Sequence, residues 1–280
     1  MLKKWYRFLS PKFQTLFLEY PVDMRPRYGH GHGPHPELYT LINHRRDAYA
    51  EVLHEVLKHA DVLASLPLTA DPMAPERPHW VNGFFPGLDI AILFSLLGMR
   101  KPSRYVEVGS GNSTKVAALA KRHFGLEMEI VSVDPMPRAE IDALANRIIR
   151  RPFEDVDLTL FTDLEPGDVL FIDNSHRMLP NSDVTVFFME VLPRLKPGVL
   201  VHIHDIYLPY DYPQFMCDRF YSEQYPLAMW LLAAPERAKV IMPNYFVSQD
   251  TALDAILSPL WSRSELKGVE RHGGSFWFER

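Results

Sequence analysis

One cysteine, Cys217, is all the chain has in 280 residues. That excludes an internal disulfide and any cysteine-built zinc or iron–sulfur centre, and it fits a reducing, cytoplasmic setting. Long apolar runs are also missing. The longest, Ile90–Met99, is interrupted by Ser95 and Gly98 and falls far short of the ~20 residues of a membrane span, so no integral membrane association is expected. Lys3, Lys4 and Arg7 resemble the basic start of a signal peptide, but Ser10-Pro11-Lys12 cuts the apolar stretch too early for one. Positive charge is not in excess either. Thirty Lys and Arg against 35 Asp and Glu give a net charge of −5, which removes the bulk attraction that a nucleic-acid binder relies on.

Glycine is scarce beside proline, 14 against 24. The prolines cluster at Pro21–Pro36 and Pro67–Pro78, and both stretches read as irregular connections. Between them, Leu41, Ile42, Tyr49, Val52, Leu53, Val56 and Leu57 follow helical spacing. The spacing predicts one long amphipathic helix over Leu38–Leu66. Residues 1–79 are therefore expected to form a helical, proline-rich lid or cap. Residues 1–35 carry six basic and two acidic side chains, interleaved with Trp5, Tyr6, Phe8, Phe13, Leu16 and Phe17. This segment offers a surface to a partner subunit in a homo-oligomer, an acidic substrate or a membrane surface, with a solvated, partly packed helix preferred. His30, His32 and His35 lie in a Gly- and Pro-rich loop with no adjacent acid or cysteine, which favours a mobile lid or surface loop over a metal site.

From residue 80 onward, short apolar runs alternate with helical stretches. Strands are expected at Tyr105–Val108, Glu129–Asp134, Arg147–Arg151, Asp168–Asp173 and Val199–Ile206. Helices are expected at Ser113–His123, Ala139–Ala145 and Asp183–Leu195. Lys239–Ser248 and Ser275–Glu279 read as two late strands separated by a helix-like Ala252–Leu260. The expectation is an α/β, doubly wound, mostly parallel sheet closed by a late antiparallel pair.

In such a sheet the ligand site opens at the carboxyl ends of the strands. Gly109 and Gly111 follow the first strand, with Ser113 or Thr114 placed to cap the next helix. Asp134 ends the second strand, where a carboxylate can accept both hydroxyls of a ribose. The combination indicates an adenosine-bearing cofactor. Thr114 stands where a dinucleotide fingerprint needs a small residue, and the acidic Glu107 suits a cationic ligand instead.

Glu107–Thr114 (EVGSGNST) resembles motif I of the class I S-adenosylmethionine-dependent methyltransferases. Phe171–His176, then Leu195–Gly198, then His202–Asp205 are similar to the "IDGDH…LKPGG…HD" pattern of that family's small-molecule branch, with Asn174-Ser175 and Val199 departing from it. The resemblance implies a Rossmann-like, seven-stranded methyltransferase domain over residues 80–280, S-adenosylmethionine as cofactor and a small-molecule acceptor, methylated at a hydroxyl oxygen. It places Glu107, Gly109, Ser110, Gly111, Asn112, Ser113, Asp134 and Asp173 at the cofactor, with Phe153, Glu154 and Asp155 against its adenine. His204, His176, Asp173 and Asp205 form the catalytic set, His204 ahead of His176 as the group that takes or relays the acceptor's proton. A divalent metal, not favoured, would fall to Asp173 and Asp205. Two other classes stay open: an NAD-dependent oxidoreductase on a similar sheet, and a non-catalytic binding protein that keeps the fold.

Overall fold

The computed structural model describes residues 2–137 and 140–280. The side chains of Lys3, Lys4 and Arg7, and all of Ala139, lie outside the described residues. Seven strands form one sheet: β1 Arg104–Val108, β2 Glu129–Val133, β3 Arg147–Ile149, β4 Val169–Ile172, β5 Leu200–Ile203, β6 Lys239–Pro243 and β7 Phe276–Glu279. Their order is β3-β2-β1-β4-β5-β7-β6. The first five pair in parallel, and β7 runs antiparallel to both β5 and β6. Parallel strands covered on both faces must be apolar throughout, and every residue of β4 and β5 is buried. The sheet is thus the expected one, with the order changing direction at β1 and β4.

The N-terminal stretch holds α1 Leu2–Leu9, α2 Pro36–Asn43, α3 Arg46–Lys58 and α4 Ala60–Ala64. The single helix expected over Leu38–Leu66 is therefore three. Tertiary bonds make the first break: Arg45 Nε donates to the Val240 carbonyl at 2.8 Å, and Arg46 reaches Asp250. Leu38, Ile42, Tyr49, Leu53, Val56 and Leu63 join the same continuous core as the sheet. Helix α5, Gly87–Arg100, is buried continuously from Gly87 to Leu97 and packs against α6, Asn112–Phe124.

Three further expectations need correction. Residues 140–145 make a turn, not the end of a helix, because Asn146 is drawn to Ile130 on β2 through both its backbone and its side chain. The strand expected over Lys239–Ser248 stops at Pro243 and a helix, Asn244–Gln249, begins, since the buried Asn244 side chain turns to Asp89. The helix expected over Asp183–Leu195 widens into a π turn at Phe187–Val191 before Pro193, whose ring nitrogen cannot donate one turn back.

Candidate active site

Gly109 leaves β1 with φ +81°, and a Cβ there would stand 1.8 Å from the Asp173 carbonyl oxygen. Only glycine lets the ends of β1 and β4 approach so closely. A Cβ on Gly111 would meet nothing within 4 Å, so the space above it is free for a ligand. The helix cap is not the one expected. Gly111 flanks α6, and Thr114, from inside the first turn, accepts the Gly111 N–H at 3.1 Å and donates to the Glu107 carboxyl. This explains why a threonine holds the place of a small fingerprint residue. Glu107 is fully buried, takes a second hydrogen bond from Tyr105 at 3.1 Å, and is pushed up to about 7 by burial. It supports the turn from beneath and lines none of the cavities around it.

Above the turn lie three cavities. The first, about 300 Å³, is lined by Ser110, Asp134, Phe153, Glu154, Asp173 and Asn174 among others. One Asp134 oxygen accepts from the Ser110 N–H and hydroxyl at 2.8 and 3.2 Å, and the other from the Met136 N–H at 2.8 Å. Phe153 is buried against Phe161, whereas Asp155 is exposed outside the cavity. The second, about 360 Å³, shares Ser110 and Asp173 and adds Gly111, Asn112, Ser113, His79 and Lys115. Two lining side chains carry a buried polar atom with no hydrogen-bond partner among the described residues, Asn174 Nδ2 at the first cavity and Asn112 Oδ1 at the second. Such atoms carry a desolvation cost that a hydrogen-bond partner would relieve.

The third cavity, about 290 Å³, brings together Asp173, His176, His204 and Asp205. His176 and Asp205 hold left-handed backbone at φ +63° and +53°, a local cost of the kind stored at functional sites. His176 Nδ1 lies 2.9 Å from Glu223, while its Nε2 lies 3.5 Å from Asp173 and 3.4 Å from Asp205. Burial alone would lower the ring, but the Glu223 hydrogen bond and the three carboxylates override it and raise it to about 9. His204 Nε2 must donate to the Phe84 carbonyl at 3.0 Å, which fixes its proton, and its Nδ1 lies 3.8 Å from Asp89. Burial is again outweighed, here by Asp173, Asp205 and Asp89, and the His204 ring is raised. Both rings that the sequence offered as proton acceptors are thus shifted toward the protonated form. His202, part of the same sequence pattern, is a core residue stacked on Phe171.

These residues do not suit a metal. The charged His176 ring fills the gap between Asp173 and Asp205, and among the described residues no group of three or more His, Cys, Asp or Glu is disposed to hold an ion. Sequence reasoning missed Asp89 and Glu223. Asp89 is a lone acid in an apolar helix, a pattern that signals a buried partner network; it accepts from Asn244 and from the Gly274 and Ser275 N–H groups. Glu223 carries no comparable signal.

The histidine-rich loop does not gather its rings. His30 donates to the Asp211 carbonyl, His35 accepts the Leu38 N–H at the start of α2, and His32 is exposed. Asp211 also takes the Arg27 and Tyr28 N–H groups at 2.7 and 3.1 Å, so residues 27–35 are fastened to the loop after β5, around a separate cavity of about 390 Å³.

Residues 106–206 match the family model described as a methyltransferase domain. That stretch runs from β1 to just past β5, over the parallel strands that carry the glycine turn and the strand-end acids. An uncharacterised protein of Archaeoglobus fulgidus is 33% identical over 123 residues, 40% of this chain; the chain spans 56% of that relative's length. The SAH-bound methyltransferase of Podospora anserina shares 18% identity over 66% of this chain and 81% of that one, with a TM-score of 0.38. A methyltransferase of the mycinamycin biosynthetic pathway, in complex with Mg, SAH and mycinamycin VI, shares 21% over 50% and 41%, with a TM-score of 0.32.

Proposed function

We propose that the chain is a methyltransferase that binds S-adenosylmethionine in the first two cavities and methylates a hydroxyl of a small molecule in the third. The observation that carries this reading is the position of Asp173, which lines all three cavities. A donor and an acceptor held on either side of it meet there. Asp134 would hold the ribose, Phe153 and Glu154 the adenine, and Asn112, His79 and Lys115 the amino-acid end. The bound cofactor supplies a methyl on a sulfonium carbon, already activated for displacement.

What the protein must add is alignment and a place for the acceptor's proton. In this reading Asp205 or Asp173 accepts that proton, and the imidazolium of His176 balances the charge between them. His204, tied to Phe84, holds the mouth of the acceptor cavity. The first 79 residues act as a cap over it, and the reduced Cys217 belongs to a cytoplasmic setting.

Calorimetric titration with S-adenosylmethionine, its demethylated product and NAD tests the proposal. The first two should bind and NAD should not. Asp134→Ala removes charge-assisted hydrogen bonds of about 1.5–3 kcal/mol each and should weaken the product at least tenfold. Binding of NAD alone would replace the reading with a dehydrogenase.

A further inference from the structure

Beside the acceptor cavity runs a larger groove of about 1060 Å³. Its apolar wall is Trp5, Phe8, Phe13 and Leu16 from the N-terminal segment and Phe220 from the core. All five are at least two-fifths exposed, in a segment where Leu9, Phe17, Leu18 and Tyr20 are exposed as well. A soluble monomer rarely presents so much contiguous apolar surface without a use for it.

The charge around the groove is mainly positive. Lys12, Arg177 and Arg219 line it against the single acid Asp218. The Arg177 and Arg219 guanidinium groups lie 5.1 and 4.6 Å from the ring centre of Tyr221, which itself stacks on His176. Arg177 donates to two backbone carbonyls, and neither arginine has a carboxylate within 4.0 Å among the described residues. Two guanidinium groups fixed on an aromatic ring and left without a counter-ion form a receptor for an anionic group.

Arg219 lines both this groove and the acceptor cavity. The two spaces therefore adjoin at a cation, with Asp173 and Asp205 on one side of it and an aromatic trough on the other. From this juxtaposition we infer that the acceptor is a single amphiphilic molecule. Its hydroxyl-bearing end enters the acceptor cavity, an anionic group such as a phosphate, sulfate or carboxylate sits on Arg177 and Arg219, and an apolar chain or ring system lies along the groove. The inference rests on the assignment of the third cavity to the acceptor.

The probe is dodecyl phosphate, kept below its micellar concentration and titrated into the full chain with and without saturating S-adenosylhomocysteine. Binding is followed by tryptophan fluorescence and calorimetry. Dodecyl phosphate should bind. Butyl phosphate, which lacks the tail, and dodecyltrimethylammonium, which reverses the charge, should each bind at least tenfold more weakly. Arg219→Ala and Trp5→Ala should each weaken dodecyl phosphate at least tenfold, with S-adenosylhomocysteine affinity unchanged. Equal binding of the cationic detergent, or no effect of Arg219→Ala, overturns the inference. So does association with anionic vesicles in the absence of binding to monomeric alkyl phosphate, which would make the segment a lipid-surface anchor. S-adenosylhomocysteine bound without dodecyl phosphate removes the groove and leaves the methyl-transfer reading; the reverse result removes that reading and leaves the groove.

Discussion

At the scale of single residues, the two glycines of the turn separate structural from ligand demands. Gly109 is held by the protein, because its φ of +81° and the Asp173 carbonyl 1.8 Å from a would-be Cβ leave no room for a side chain. Gly111 is extended, and nothing within 4 Å opposes a Cβ. Gly109→Ala should destabilise the fold by about 3 kcal/mol or more, visible as a lower Tm without ligand. Gly111→Ala should leave Tm within about a degree or two of the parent and weaken cofactor binding instead. Equal Tm losses in both would mean that the loop, not a ligand, requires both glycines. His176 gives a second residue-scale expectation. Its folded pKa is raised to about 9 from an unfolded value of about 6.5. The stabilisation it brings is therefore complete below pH ~6.5 and is lost as pH rises toward 9. Glu223→Gln keeps an acceptor for the ring but removes a charge, so the fall in stability across that window should become shallower by a kcal/mol or more. Urea unfolding at pH 6, 7.5 and 9 measures it, and parallel profiles would show that Glu223 does not hold the proton on His176.

At the scale of elements, the strands were legible and the helices less so. Runs such as Val169–Ile172 and Leu200–Ile203 must be apolar to be buried on both faces, so composition alone locates them. The break between α2 and α3 is set by Arg45 reaching β6 and Arg46 reaching Asp250, partners about 200 residues away, which helical spacing does not record. The site followed the same rule. Residues at strand ends, Gly109, Asp134, Asp173 and Asp205, could be placed from the sequence. Asp89 and Glu223, which set the charge of those ends from neighbouring elements, could not. Glu107 shows the limit from the other side: its acidity was visible, but its burial under Tyr105 and Thr114 was not. Thr114→Val tests how β1 is joined to α6. It removes the hydroxyl shared by Gly111 and Glu107 and leaves a buried carboxyl short of a donor. A loss of about 1–3 kcal/mol is expected in chemical denaturation. A neutral outcome would mean that Tyr105 and Ser113 satisfy Glu107 without it.

At the scale of the whole molecule, the N-terminal 79 residues do two things. Residues 36–66 bury Tyr49, Leu53, Val56 and Leu63 completely in the common core, and each such side chain contributes about 1.5–3 kcal/mol. Among the described residues, none of 1–24 joins that core, and the chain is fastened from Met24 onward, by Gln214 at the Met24 carbonyl and by Asp211 at Arg27 and Tyr28. A protein starting at Arg25 should keep its Tm and bind cofactor, while one starting at His79 should lose its cooperative unfolding transition, since the summed loss is as large as an ordinary stability of about 5–15 kcal/mol. Calorimetry of the two shortened chains checks this; a sharp transition in the shorter one would show that the sheet domain stands alone.

The place of β7 has a consequence for how the protein comes into being. Its residues Phe276–Glu279 enter the sheet between β5 and β6, with Phe276, Trp277 and Phe278 fully buried. A nascent chain that has already emerged through β6 still lacks the strand that joins β6 to the rest. Until residue 279 has left the ribosome, β5 presents a bare apolar edge, and β6 has no partner at all. The glycine turn, with the ends of β1, β2 and β4 around it, is complete more than a hundred residues earlier in synthesis. The protein therefore passes through an interval in which the half of the sheet with the glycine turn can form while the third cavity, lined in part by Glu270, His272 and Gly274, cannot, and during that interval the exposed edge is what a chaperone would have to shield.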